Sequence, residues 1–476
     1  MKTLYRQLKD YRESDYYGFH MPGHKRNEHL MGIDLPYGID ITEIEGFDDL
    51  HHADGILKAA QERAARVFGA EESFFLINGS TVGILSAILG STNRGDKVLV
   101  ARHCHKSIYH GIFMNELQPV YLYPQFSPEL QMNTEISVSA VKTALKEHPD
   151  IKAVVIVSPT YEGVISDVKG IAEAAHERGI PLIVDQAHGA HFGFHPYFEE
   201  NANKMGADVV IQSLHKTLPS LTQTAILHVN GEIANRKKIR RYLDMLQSSS
   251  PSYILMASID ACVAMLEEKG TGLFTEYTEN LEMFWQQTAQ LKRLRLLESE
   301  HFDRSKIVVS VKNTDITSKE LYRILLEDYH LQMEMVGGTY VLALSSVGDT
   351  KEGLSRLARA LQEIDERIDA RMHQSGMQAA EREGTFLPRT ECVYTSAQIT
   401  LMREEAPENV ESLPWEESLG KVAMEYAYLY PPGSPLVVPG ERISQDVIDR
   451  LKLYRKLAFD IEGLQQEGYI EVWKNG

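Results

Sequence analysis

Short apolar runs alternate with amphipathic stretches through the middle of the chain. A helical pattern, LKAAQERAARVFG (57–69), precedes a strand-like SFFLIN (73–78) and a second helical stretch, TVGILSAILG (81–90). Further strand-like runs are KVLVA (97–101), PVYLYP (119–124), KAVVIVSP (152–159), PLIVD (181–185), DVVIQS (208–213) and TAILHV (224–229). Helical periodicity returns between them at SVSAVKTALKEHP (137–149) and VKGIAEAAHERG (168–179). Short continuous apolar runs separated by amphipathic segments predict an α/β domain, with a largely parallel sheet covered by helices on both faces.

The flanks read differently. Residues 1–50 show little periodicity and cluster Gly, Pro and His, which predicts an arm. Beyond residue 300, KIVVSV (306–311), SKELYRILLEDYH (318–330) and TYVLALSSV (339–347) predict a smaller α+β unit. Residues 351–386 are polar and helix-prone, as in a connector, and the turn-rich PPGSPLVVPGE (431–441) marks a last region. The expected division is an arm (1–55), a large domain (56–300), a small α+β domain with connector (301–385) and a C-terminal domain (386–476).

Ligands of open α/β sheets bind beyond the carboxyl ends of the strands. The chemically unusual residues fall there: Gly79-Ser80-Thr81, residues 102–105, Pro159-Thr160-Tyr161, residues 185–188 and residues 213–216. Lys216 follows a strand that should be buried on both faces. A desolvated lysine has a lowered pKa and forms a Schiff base with an aldehyde, whereas a solvated loop lysine does neither. Asp185 closes another apolar strand, where a carboxylate serves as metal ligand, general base, partner of a cationic ring nitrogen, or simple turn cap. His188 and His191 follow it, so a metal site of Asp185, His188 and His191 is one alternative. Gly79, Ser80 and Thr81 at a helix start suit an anion, or an ordinary N-cap. No Walker A loop is present. His105 is placed to stack on a flat ring, or is a plain loop histidine.

Together these residues point to pyridoxal 5′-phosphate. Lys216 would hold the aldehyde carbon and Asp185 would keep the ring nitrogen protonated, making the ring an electron sink. Ser80, Thr81, Ser213 and His215 would hold the phosphate, and His105 would stack on the ring.

Composition narrows the class. The 476 residues carry 49 basic and 67 acidic side chains, a formal charge of −18, which argues against nucleic acid as the main ligand. Hydrophobic content of 43% and charged content of 24% are ordinary for a soluble globular protein. Three cysteines without a CxxC pair suit a reducing compartment. The polar N-terminus lacks a signal-peptide core, and no apolar run is long enough to span a membrane. A cytoplasmic enzyme is expected.

The chain resembles the Orn/Lys/Arg decarboxylase family, specifically its bacterial-type, fold-type-I members. The resemblance is carried, in order, by FHMPGHKRN (19–27), DITEIEGFDDLHHADG (40–55), FFLINGSTVG (74–83), RHCHKS (102–107), SPTYEGV (158–164), DQAHGAH (185–191), SLHKTLPSLTQTA (213–225), SSSPSYILMASID (248–260) and LYPPGSPLVVPGE (429–441). It implies a short form without the N-terminal wing domain, so the ring assemblies of long members are not implied. It implies a mixed, mostly parallel sheet in the large domain and a smaller α+β C-terminal region.

By the same resemblance Lys216 is the Schiff-base lysine, Asp185 the ring-nitrogen partner, and His105 the stacking histidine. Gly79, Ser80, Thr81, Ser213 and His215 form the phosphate cradle, and His188 lies near the ring oxygen and substrate carboxylate. Ser248 resembles a hydroxyl that reaches the phosphate from the neighbouring subunit, which implies a homodimer with shared active sites. The implied reaction is decarboxylation of a basic amino acid (arginine, lysine or ornithine) in polyamine biosynthesis. Glu43, Glu162 and Glu441 are candidate acceptors for the substrate's side-chain cation. Two departures stand out: Gln186 replaces the Glu of many short members, and residues 392–405 lack the family's PRE-type sequence. Rival readings are an aminotransferase (with Arg389 as carboxylate ligand) or lyase of the same fold, a non-catalytic family member, and a metal hydrolase using His188 and His191.

Overall fold

A computed structural model describes residues 2–29, 31–375, 386–429, 433–457 and 459–474. Residues 376–385 of the expected connector and 430–432 of the turn-rich stretch lie outside the described residues. The chain forms two compact units: Met1–Ser91 with His176–Glu279 and Ser346–Gly348, and Thr92–Ala175 with Asn280–Ser345 and Asp349–Gly476.

In the first unit, strand Leu182–Asp185 runs parallel to Val209–Ser213, with Asp185 opposite Ile211. Val209–Ser213 is antiparallel to Ala225–Val229, which is antiparallel to Glu72–Leu76. Every residue of the first three strands is buried, which is why their sequences are continuous apolar runs without alternation. Helix Gly79–Ser91 is buried on most sides and packs on helix Arg236–Leu246. A Cβ at Gly90 would lie 2.7 Å from Ile239 Cα, so only glycine permits this approach.

The weak periodicity of residues 1–50 conceals an α-helix, Leu4–Arg12, capped by the Thr3 side chain. Its apolar stripe is only Leu4 and Leu8, both fully buried. The Leu4 amide donates to Asp260 Oδ2 at 2.7 Å, and Arg63 Nη2 donates to Asp260 Oδ1 at 2.6 Å. Asp260 sits on the 36-residue helix Tyr253–Thr288.

In the second unit, Lys97–Ala101 runs parallel to both Gln118–Leu122 and Ile151–Val157. Parallel pairing therefore predominates among the described large-domain strands, with the two antiparallel pairings making the sheet mixed, as expected. An antiparallel sheet of Arg295–Leu297, Lys306–Ser310, Tyr340–Leu344 and Met335–Val336, with helix Ser318–Glu327, forms the smaller α+β unit. Helix Lys351–Ser375 buries Leu354, Leu361, Ile364 and Ile368. Its Asp365 accepts the amides of Lys292, Arg293 and Leu294 at 2.7–2.8 Å. The polar composition of this segment thus hides a packed helix whose acid caps a neighbouring loop.

The C-terminal region holds an antiparallel sheet of Glu391–Cys392, Glu441–Arg442, Val422–Ala423, Tyr469–Trp473 and Val410–Pro414. Its core includes Trp415, Leu436, Val447, Leu451, Tyr454 and Val472. Among the described residues no helix is long and apolar enough to cross a membrane.

Candidate active site

Strand direction gathers most of the candidate residues. Asp185 and Ser213 end two parallel strands. Two antiparallel steps restore that direction in Glu72–Leu76, so the turn at Ile77-Asn78-Gly79 leaves the same end of the sheet. Ser213 passes directly into the short helix Leu214–Thr217, which carries His215 and Lys216.

Lys216 Nζ lies 2.9 Å from His188 Nε2. An ammonium only donates, so His188 accepts at Nε2 and carries its own proton on Nδ1. The Asp185 side chain is almost fully buried. Burial pushes its carboxyl pKa up, against the opposing pull of the Lys216 charge and the Ala187 amide, which donates to Oδ1 at 3.1 Å. The acid and the amine therefore share one electrostatic environment.

The residues expected to cradle an anion are equally local. Ser213 Oγ donates to Ser80 Oγ at 2.9 Å. Gly79 has φ +75°, and a Cβ there would meet only the Gln223 carbonyl at 4.0 Å, so the cradle's floor is open and its backbone left-handed. Thr81 is exposed at the helix start. His215 Nδ1 lies 2.9 Å from the Thr224 carbonyl and donates to it. Burial lowers the His215 pKa, as does the nearby Lys216 charge, while the Thr224 bond raises it. Neutral His215 therefore offers Nε2 only as an acceptor. Donating from Nε2 to a phosphate requires the imidazolium, a form that a bound dianion favours.

Ser248 is exposed. Its amide donates to Asn78 Oδ1 at 3.1 Å, its hydroxyl donates to the Ser250 carbonyl at 3.2 Å, and its carbonyl accepts from His51 Nε2 at 2.9 Å. Within one chain it already lies beside the residue preceding Gly79. His105 belongs to the second unit, where it is the N-cap of helix Lys106–Met114 and its Nδ1 accepts from the Ser107 amide at 3.2 Å.

The donor set fits pyridoxal phosphate. A buried acid needs a cation, an amine stands near it, and paired hydroxyls with an open glycine flank a helix start. A metal site of Asp185, His188 and His191 has no geometric support, since no group of three or more His, Cys, Asp or Glu converges among the described residues.

The candidate substrate acceptors separate. Glu441 is committed: Arg102 Nη1 and Nη2 donate to Oε1 and Oε2 at 2.7 and 2.9 Å, and the Val438 amide donates to Oε2 at 2.8 Å. Glu162 accepts from the Tyr340 hydroxyl at 2.8 Å. Glu43 Oε1 is buried without a hydrogen-bond partner among the described residues.

Sequence motifs miss the supporting side chains. Gln247 Oε1 accepts the Ile77 amide at 2.9 Å, and Gln223 Nε2 donates to the Ile77 carbonyl at 2.6 Å, fixing the turn before Gly79. A buried polar row runs through Ser73, His228, Gln212 and Gln186 at 2.7, 3.0 and 2.7 Å. Gln186 Oε1 also accepts the Ala202 amide at 3.3 Å, so this departure from the family pattern completes a neutral network. Isolated glutamines carry no motif signal; only their partners across the fold reveal them.

The model for the Orn/Lys/Arg decarboxylase major domain matches residues 2–336, and that for the C-terminal domain of the same family matches residues 379–469. The arginine decarboxylase of Bacillus subtilis (strain 168) is 32% identical, the match covering 94% of this chain and 92% of that protein. The arginine decarboxylase of Halalkalibacterium halodurans is 31% identical over 95% of this chain and 93% of its own. Among solved structures, the constitutive lysine decarboxylase of Escherichia coli superposes with a TM-score of 0.82 at 21% identity, covering 99% of this chain and 82% of that one. The fold is therefore the fold-type-I architecture that the family resemblance implies.

Proposed function

The chain belongs to the Orn/Lys/Arg decarboxylase family, and from that we propose that it is a pyridoxal-phosphate-dependent decarboxylase of a basic L-amino acid. The observation that carries the reading is Lys216 Nζ, 2.9 Å from His188 Nε2 and electrostatically coupled to the buried Asp185. Arginine is the first substrate to test, because relatives at 31–32% identity over nearly the whole chain bear that activity in their names.

When bound, the cofactor supplies an aldehyde for amines and a protonated ring that draws electrons from the breaking Cα–carboxylate bond. The chain's own residues do the rest. His188 Nε2 takes the proton that Lys216 must lose before its amine can act. Asp185 holds positive charge at the ring nitrogen, and its burial strengthens that interaction. Ser80, Thr81, Ser213 and His215 bind the phosphate, and Gly79 lets the backbone amides approach it. His105 would stack on the ring, and His188 or Lys216 would return a proton to Cα. Glu43 is the acceptor for the substrate's side-chain cation, because its buried Oε1 has no hydrogen-bond partner among the described residues.

The same proposal includes a cytoplasmic homodimer acting in polyamine biosynthesis, with the exposed Ser248 contributing to a shared site. It keeps the division into arm (1–55), large domain (56–300), small domain with connector (301–385) and C-terminal domain (386–476); the C-terminal family model, which matches residues 379–469, supports the last of these.

The test is a visible absorbance scan of purified protein loaded with pyridoxal phosphate, borohydride fixation, and a panel of arginine, lysine and ornithine with CO2 and amine products measured. A label on Lys216 and release of CO2 from one basic amino acid are expected. Keto-acid formation in place of CO2 would assign the site to an aminotransferase instead.

A further inference from the structure

Arg102 ends the polar strand tip that continues into His103, Cys104 and His105. Its guanidinium and the Glu441 carboxylate form a two-pronged pair at 2.7 and 2.9 Å. Both side chains are essentially fully buried, at 0% and 1% exposure. Tyr121 covers the guanidinium at 4.7 Å from its ring centre, with Tyr109 at 5.8 Å. Burial, the largest single effect, disfavours the cation, but Glu441 together with Tyr109, Tyr121 and Tyr123 holds the Arg102 pKa well above its ordinary value. The same C-terminal segment reaches the next residue too: Ser434 Oγ donates to the His103 carbonyl at 3.1 Å. The Arg102 carbonyl accepts from the Tyr109 hydroxyl at 2.6 Å, and its amide donates to the Leu122 carbonyl at 2.7 Å. The Arg102 amide, the Arg102 carbonyl and the His103 carbonyl are thus each held by a directional bond.

From this we infer that Arg102, Glu441 and Ser434 form a clamp through which the C-terminal region sets the position of His105. They are positioning residues for the ring-stacking histidine, and the inference rests on the cofactor reading of His105 proposed above. The physical argument is one of direction. A buried ion pair adds little net stability over a well-packed apolar pair of the same volume. An apolar contact would join the C-terminal strands to this tip equally well, but it would let the tip slide. The Arg102–Glu441 pair instead fixes distance and angle, and Glu441 is itself pinned by the Val438 amide at 2.8 Å. His105 follows three residues later and its Nδ1 accepts from Ser107, so its ring has a set tautomer, with the proton on Nε2 when neutral. A stacking ring needs its plane held, and the clamp holds the backbone from which that plane is hung.

The experiment compares holoenzymes of the wild type, Ser434→Ala, Ser434→Thr, Glu441→Gln and His105→Ala. The readouts are the coenzyme dissociation constant, the visible circular dichroism of the bound coenzyme, and the urea midpoint. Ser434→Ala is expected to raise the dissociation constant by up to about fivefold, the most that one lost supporting hydrogen bond can transmit. It should alter the dichroic band at a near-wild-type urea midpoint, and Ser434→Thr should restore both. Glu441→Gln should move the two coenzyme readouts in the same direction and further. If His105→Ala changes them while Ser434→Ala and Glu441→Gln leave them at wild-type values, the clamp is refuted. If His105→Ala itself leaves both unchanged, the cofactor role of His105 falls, and the clamp falls with it.

Discussion

His228 makes the buried row beneath the site measurable. The ring is fully buried, and burial drops its pKa from 6.5 to about 3. Its Nε2 donates to Gln212 Oε1 at 3.0 Å, so in the neutral form Nδ1 accepts from the Ser73 hydroxyl at 2.7 Å. A proton on Nδ1 would meet that hydroxyl in place of a lone pair. In the unfolded chain the imidazole regains a pKa of about 6.5. Between these values the unfolded chain binds a proton that the folded chain refuses, so stability rises with pH. The contribution is complete above about pH 6.5 and is lost as pH falls toward about 3, at about 1.4 kcal/mol per pH unit and about 5 kcal/mol in all. His228→Gln keeps a donor and an acceptor but removes the titration. Urea unfolding from about pH 7.5 to about pH 4 should show the wild type losing stability more steeply than the variant, the gap reaching about 3 kcal/mol at about pH 4. His103, lowered by burial to about 4, has the same sign but is common to both proteins and cancels. Parallel profiles, or a folded His228 that titrates near 6.5 by NMR, would refute the reasoning.

Three further outcomes follow from the geometry. Glu441→Gln leaves the Arg102 cation buried without its counter-charge and should cost about 3–5 kcal/mol in urea unfolding, whereas replacing both with apolar residues of similar volume should cost far less. Lys216→Arg keeps the charge but removes the reactive amine: borohydride should fix no coenzyme, and CO2 release should fall by at least about 100-fold, with the urea midpoint little changed. Gly79→Ala forces a Cβ into left-handed backbone, costing about 1–2 kcal/mol, and a fluorescence titration should show weaker coenzyme binding; unchanged affinity would mean that this turn does not cradle the phosphate.

Much of the site is legible before any fold is known, because the chemistry is concentrated at strand ends and strand ends are marked by where apolar runs stop. PLIVD stops at Asp185 and DVVIQS stops at Ser213, and the polar residues just beyond them meet in the structure. The acid–amine–imidazole group of Asp185, Lys216 and His188 needs only that two neighbouring strands run parallel, which continuous burial of both implies. Helix Leu4–Arg12 is less visible because two leucines in a polar segment make too faint a stripe. Helix Lys351–Ser375 is legible as a helix, but its packing is not, because charge outnumbers its buried face.

What the sequence determined by itself is the set of candidate reactive groups and the side of the sheet on which most of them gather, since both depend on local pattern: period, burial and the point at which each run ends. What only the tertiary structure decided is which polar groups are already spent. Glu441 looks like a free acid in PGE and is bound on both oxygens by Arg102, 339 positions away. Gln186, Gln212, Gln223 and Gln247 look incidental and hold the strand ends and the turn before Gly79. A hydrogen bond is a relation between two positions, and no run of residues around one of them reveals where the other will be.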